Sequence, residues 1–120
     1  FPVWGGLYDA RDIGSLVLLL HTGSYCEAFQ HGDSTGVTRE LARLEDAAAH
    51  GSAIGLEIHA GHGLTYDDVK PVARIPAVVE LNIGHFLIGE AIFVGLAASV
   101  RRMRAIMDEA RAERAALAGR

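Results

Sequence analysis

The chain has 120 residues, half of them hydrophobic, and a formal charge of −4, which is enough apolar material for one small domain. That charge excludes a general electrostatic pull toward nucleic acid or an acidic membrane surface, so any anion site has to be local. The single cysteine, Cys26, excludes an intramolecular disulfide and a Cys-based zinc cluster and fits a reducing compartment such as the cytoplasm.

The longest uncharged apolar run, Leu16 to Leu20, is far too short to span a bilayer. Phe1-Pro2-Val3-Trp4-Gly5-Gly6 has neither a basic n-region nor a small-residue cleavage site, so it does not read as a signal peptide. The absence of an initiator Met leads to the expectation of a fragment or a processed product. Phe1 to Leu7 is turn-like. Tyr8 to Gly14 reads as the end of a helix with Gly14 near its C-terminus. Leu16 to Leu20 reads as a strand apolar on both faces, the habit of a parallel strand covered by helices. His21-Thr22-Gly23-Ser24-Tyr25 reads as a polar loop, and Phe29 to Gly36 as loop-like.

Val37, Leu41, Leu44 and Ala48 fall at helical spacing with Arg39, Glu40, Arg43 and Asp46 between them, which predicts an amphipathic helix stopped by Gly51. Ile54 to Ile58 is the second predicted strand. A short helix is expected from Thr65 to Ala73, where Thr65 and Asp68 have capping-box spacing and Pro71 is tolerated only in the first turn. Val78 to Ile83 is the third strand. Ile92, Phe93, Leu96, Val100, Met103, Met107 and Ala110 then mark one face of a long C-terminal helix. Such alternation implies βαβ units and a parallel sheet.

Each predicted strand ends in a loop carrying Gly and His: His21-Thr22-Gly23, His62-Gly63 and Gly84-His85. Parallel α/β folds bind ligands at the C-terminal ends of their strands, and barrels favour phosphate at the loops after the last two. Glycine lets backbone amides approach phosphate oxygens, a following helix N-terminus adds partial positive charge, and histidine supplies a donor or a proton. Gly84 is therefore either part of an anion-binding loop or a plain strand-to-helix turn. His62, flanked by Gly61 and Gly63, is either an ordinary loop histidine or a catalytic one. His21 is either a site residue or a buried strand-end histidine bonded to backbone. His59 either faces a barrel interior or caps its strand. His31 and His50 read as surface residues. A metal held by His59, His62 and His85 is the rival reading, but there is no H-E-x-x-H and carboxylates are few nearby, so no metal is expected. Cys26 reads as a small apolar residue rather than a nucleophile, since Ser24-Tyr25-Cys26 lacks the G-x-S-x-G context of a hydrolase elbow.

These loops carry a resemblance. His21-Thr22-Gly23-Ser24-Tyr25, Ala60-Gly61-His62-Gly63-Leu64-Thr65-Tyr66 and Glu80-Leu81-Asn82-Ile83-Gly84-His85 are similar to successive signatures of the pyridoxine 5'-phosphate synthase family, from about Ala10 to the C-terminus. The resemblance implies the C-terminal half of a TIM (β/α)₈ barrel with parallel strands and a long C-terminal helix. The whole chain, residues 1–120, would then be a single partial domain holding the last three βα units, with residues 1–7 unmatched. It implies a transferase of vitamin B6 biosynthesis that joins 3-amino-2-oxopropyl phosphate to 1-deoxy-D-xylulose 5-phosphate, releasing phosphate and water and forming pyridoxine 5'-phosphate. His62 matches the family's proton donor; Gly63, Gly84 and His85 match positions that bind the amino-oxopropyl phosphate. No metal or organic cofactor is implied, nor a nucleic-acid or membrane partner. A cytoplasmic homo-oligomer, commonly an octamer, is.

Three departures accompany the resemblance. The family's N-terminal half, which carries further catalytic residues, has no counterpart here. Leu19 stands where the family has a Glu, and His59 where it usually has Asn. The leading expectation is a partial or diverged synthase with little activity of its own. The alternative is a non-catalytic phosphate-binding module or an inactive paralogue.

Overall fold

The computed structural model describes residues 16–118; the readings made for Phe1 to Leu7 and for Tyr8 to Gly14 lie outside them. In chain order the elements are β1 (Val17–His21), α1 (Gly23–Gln30), α2 (Ser34–Ala53), β2 (Glu57–Gly61), α3 (Val69–Ala73), β3 (Val78–Asn82), α4 (His85–Val94) and α5 (Leu96–Ala118). The strands form one parallel sheet in the order β1-β2-β3, as the alternating pattern predicts.

Side chains alternate across the strands, and the two sheet faces differ. Leu20, Ile58, Ala60 and Val78 are buried on one face, where Tyr25, Leu44, Ala48, Val69, Val72 and Met103 complete the core. Each such large side chain contributes roughly 1.5–3 kcal/mol through burial. The other face carries Leu19, Glu57, His59 and Glu80 and is open among the described residues, with Leu19 48% exposed. The apolar character of β1 on both sides is thus matched by helices on one side only. A register irregularity sits in the β2–β3 pair: Ile58 pairs with Val78 but His59 with Glu80, so Val79 is passed over and lies exposed. This bulge puts Glu80 on the same face as His59.

The loops expected at His21 to Tyr25 and at Phe29 to Gly36 are mostly helix. Gly23–Gln30 forms α1 because Tyr25 and Cys26 become buried, and the Tyr25 hydroxyl donates to the carbonyl of Asp68 at 2.6 Å. Only residues 31–33 separate α1 from α2, whose N-cap Asp33 accepts the amide of Gly36 at 3.0 Å. Gly51 does not stop α2. It is buried inside the helix, and a Cβ there would stand 2.7 Å from Ile58 Cδ1 and 2.8 Å from Leu18 Cδ2, so its role is close packing on the sheet. The chain reverses instead at Ile54-Gly55, Gly55 having φ of 91°. Ile54 is therefore exposed in a turn, and β2 begins at Glu57, three residues later than its predicted start.

Half of the Thr65–Asp68 capping box forms: Asp68 Oδ1 accepts the amide of Thr65 at 2.7 Å, but the Thr65 hydroxyl accepts from the Asp67 amide, and the helix is capped at Asp68. The regular helix is only Val69–Ala73, with Pro71 in its first turn. The long C-terminal helix is two helices. Gly95, with φ of 86°, breaks it, and Ser99 braces the elbow by donating to the Leu87 carbonyl at 3.0 Å while its own carbonyl accepts from Tyr66 at 3.1 Å. The break rotates the predicted face apart. Met103 and Ala110 are buried and Met107 packs on the core, but Ile92 and Phe93 are 80% and 84% exposed, and Leu96 and Val100 are exposed as well.

Candidate functional site

Because β2 and β3 run parallel, their C-terminal ends lie side by side, with Gly61 in register with Asn82. His62 follows Gly61 directly, and Gly84-His85 lie just beyond Asn82. A cleft of about 580 Å³ opens at these ends. It is lined by His62, Gly63, Gly84 and His85, the four residues singled out in the sequence, and also by Leu19 and His21.

On the β3 side, Gly84 is the N-cap of α4 and makes no side-chain cap, and the first turn of the helix carries no acidic residue. The first amides of α4 are therefore open to an anion, and the helix dipole favours one. Apart from its neighbours in the chain, no atom lies within 4 Å of where a Cβ on Gly84 would be, so the backbone there is open to close approach. On the β2 side, His62 has φ of 92°, the one positive value for a non-glycine among the described residues. Such a conformation costs about 1–3 kcal/mol and persists only when neighbours enforce it. Its carbonyl accepts the Thr22 hydroxyl at 2.6 Å and lies 3.6 Å from the Cys26 thiol.

His21 is exposed at the end of β1 rather than buried. Its Nδ1 accepts the Gly23 amide at 3.2 Å, and its ring stacks on that of His62 with centroids 4.3 Å apart. His31 and His50 are exposed, as expected. Cys26 is buried, and desolvation, reinforced by neighbouring Asp68, pushes its thiol up to about 12. A thiol so shifted is not a nucleophile near neutral pH. Burial likewise raises the Asp68 carboxyl above the usual carboxylate range, against the lowering effect of the Thr65 hydrogen bonds.

His59 lies on the open sheet face, its side chain only 15% exposed, with Nε2 3.0 Å from a Glu57 oxygen and Nδ1 2.9 Å from a Glu80 oxygen. Both ring nitrogens thus face carboxylates, and His59, His62 and His85 do not assemble as a ligand set. The Glu57–His59–Glu80 cluster was missed in the sequence. Strand alternation places Glu57 with His59, but Glu80 joins them only through the bulge at Val79.

A family model described as "Pyridoxal phosphate biosynthesis protein PdxJ" matches residues 5–109. The chain belongs to the PdxJ family. Among curated relatives it is similar to the pyridoxine 5'-phosphate synthase of Ruegeria pomeroyi, 58% identical over 103 residues covering 86% of this chain and 42% of the relative. Proteins of the same name from Roseobacter denitrificans and Rhodospirillum rubrum are 57% and 59% identical, over 86% and 84% of this chain. The chain spans about two-fifths of the length of these relatives, 39% to 42%. Leu19 and His59, the two departures expected from the sequence, are register partners across β1 and β2. No helix among the described residues is long and apolar enough to cross a membrane.

Proposed function

We propose that this PdxJ-family chain supplies the phosphate-binding end and one proton donor of a pyridoxine 5'-phosphate synthase. The observation that carries this reading is the convergence of His62, Gly63, Gly84 and His85 on one cleft at the ends of β2 and β3. In the proposal the three strands are the last three of a (β/α)₈ barrel, and the open sheet face is its inner wall. The phosphate of 3-amino-2-oxopropyl phosphate sits against Gly84 and the first amides of α4, with Gly63 and His85 closing around it. His62, on the opposite lip, delivers a proton to an oxygen that leaves as water or phosphate during condensation with 1-deoxy-D-xylulose 5-phosphate.

Such a ring closure needs several proton transfers and hence more than one acid–base group. Leu19 offers none at the position where the family has Glu. We therefore expect phosphate binding but little turnover by the 120-residue chain on its own, and turnover when it is combined with the N-terminal segment of a full-length relative. Calorimetric titration with 3-amino-2-oxopropyl phosphate tests the binding half. Gly84→Val should abolish binding while leaving the fold intact, and undiminished binding by that variant would sink the assignment. His62→Asn in the combined enzyme should lower turnover by a factor of about 10²–10⁴.

One observation favours a second reading, a phosphate-binding module without catalysis. Leu19, an apolar residue, lines the cleft, at the position where the sequence resemblance implies a carboxylate. Binding without turnover even in the combined enzyme is the outcome expected of that reading.

A further inference from the structure

The His21-Thr22-Gly23 segment at the end of β1 has no role in the scheme above, yet all three of its residues are spent on His62. Thr22 occupies the N-cap position of α1, where a threonine hydroxyl ordinarily accepts an amide from the first turn. It makes no such cap. The hydroxyl is wholly buried and donates to the His62 carbonyl at 2.6 Å, while the Thr22 amide donates to the Gly61 carbonyl at 2.8 Å. These two carbonyls belong to the peptide planes on either side of the His62 Cα. Holding both oxygens fixes the planes whose relative rotation defines φ and ψ of His62. The residue so held is the one non-glycine with positive φ among the described residues.

The ring is treated in the same way as the backbone. The Gly23 amide donates to His21 Nδ1 at 3.2 Å, which folds the His21 ring back and, in the neutral form, leaves its proton on Nε2. In that pose it stacks on His62 at 4.3 Å with an interplanar angle of 27°. Position 23 has to be glycine for this. A Cβ there would stand 2.5 Å from His21 Cε1 and 3.3 Å from His62 Cδ2.

We propose that His21-Thr22-Gly23 is the positioning device for His62: Thr22 sets its backbone, His21 backs its ring, and Gly23 leaves room for both rings. Thr22 and Gly23 act on the reaction through His62 and not by touching the substrate. The consequence for turnover rests on reading His62 as the proton donor; the positioning itself is a property of this chain and is measured without turnover.

The test is NMR of the 120-residue chain labelled at histidine, reading cross-peaks between the His21 and His62 rings and the ring-current shifts of His62. The parent should show both. Thr22→Val, the same shape without the hydroxyl, should lose the cross-peaks and move the His62 ring resonances toward unstacked values. Thr22→Ser, which keeps the hydroxyl, should retain them. Parent-like cross-peaks and shifts in Thr22→Val would overturn the proposal. If Thr22→Val does not fold, Gly23→Ala with parent-like far-ultraviolet circular dichroism takes its place: separated rings support the proposal and stacked rings refute it. A Thr22→Val chain with separated rings, whose combined enzyme nevertheless turns over like the parent, upholds the positioning and instead removes His62 from its role as proton donor.

Discussion

Gly61 ends the central strand one residue before His62, and the close approach of β3 there makes a sharp prediction. An alanine Cβ at this position would stand 2.5 Å from the Asn82 carbonyl oxygen and 3.0 Å from Asn82 Cβ. Ordinary carbon–oxygen contact begins near about 3.3 Å, so the carbonyl has to retreat by roughly 0.8 Å. The obstacle is main chain, so no rotamer change relieves it; β3 itself has to move, carrying Gly84 and His85 with it. Overpacking of this kind costs about 1–3 kcal/mol, and losing a hydrogen bond at the end of the β2–β3 pair adds about 1 kcal/mol. A total of about 3 kcal/mol corresponds to a fall in Tm of roughly 12 °C at about 4 °C per kcal/mol.

The assay is thermal unfolding of Gly61→Ala followed by circular dichroism, run beside Gly89→Ala. Apart from its own turns of α4, no atom lies within 4 Å of a Cβ on Gly89, which sits inside that helix. Alanine there should stabilise by up to about 1 kcal/mol through helix propensity. The two substitutions are chemically identical and should have opposite signs. A Gly61→Ala midpoint within about 2 °C of the parent, or equal losses in both variants, would show that β3 is not held at contact distance from Gly61.

Tyr25→Phe removes the buried hydroxyl that donates to the Asp68 carbonyl and should cost about 1–2 kcal/mol, read as a lower denaturation midpoint at unchanged m-value. The Cys26 thiol is raised by burial from 9.0 to about 12, so its stabilising effect is complete below pH 9, where the unfolded thiol is also neutral. The effect is lost as pH rises through 12. Denaturant titrations should show stability falling across that window, less steeply in Cys26→Ala, and an equal slope in both proteins would contradict the buried assignment. Leu19→Glu places at a half-exposed position the carboxylate that the sequence resemblance implies there. It should change stability by less than about 0.5 kcal/mol and raise turnover of the combined enzyme, measured as pyridoxine 5'-phosphate formed per minute.

Much of the site was legible because its chemistry is local in the chain. Gly61-His62-Gly63 and Gly84-His85 advertise close backbone approach and a donor, and parallel strands deliver both to the same end of the sheet. The β3 prediction, Val78 to Ile83, lies within one residue of the observed strand. For β2 the reading went astray because Ile54 and Leu56 look like strand residues, whereas Gly55 at positive φ turns the chain there. No local pattern marks a buried helix at Gly23–Gln30 either. Tyr25 and Cys26 choose helix over loop because burial against Leu64, Val69 and the Asp68 carbonyl, some forty residues away, outweighs the turn propensity of Gly23 and Ser24.

Periodicity and glycine placement specified the alternation of strands and helices and the loops that hold His62 and His85, since both are properties of a few consecutive residues. Gly51 as a contact point rather than a stop, the break at Gly95, the bulge that joins Glu80 to His59, and the grip of Thr22 on His62 were settled by tertiary packing. Each depends on the distance between segments far apart in the chain, and no run of neighbouring residues encodes that distance.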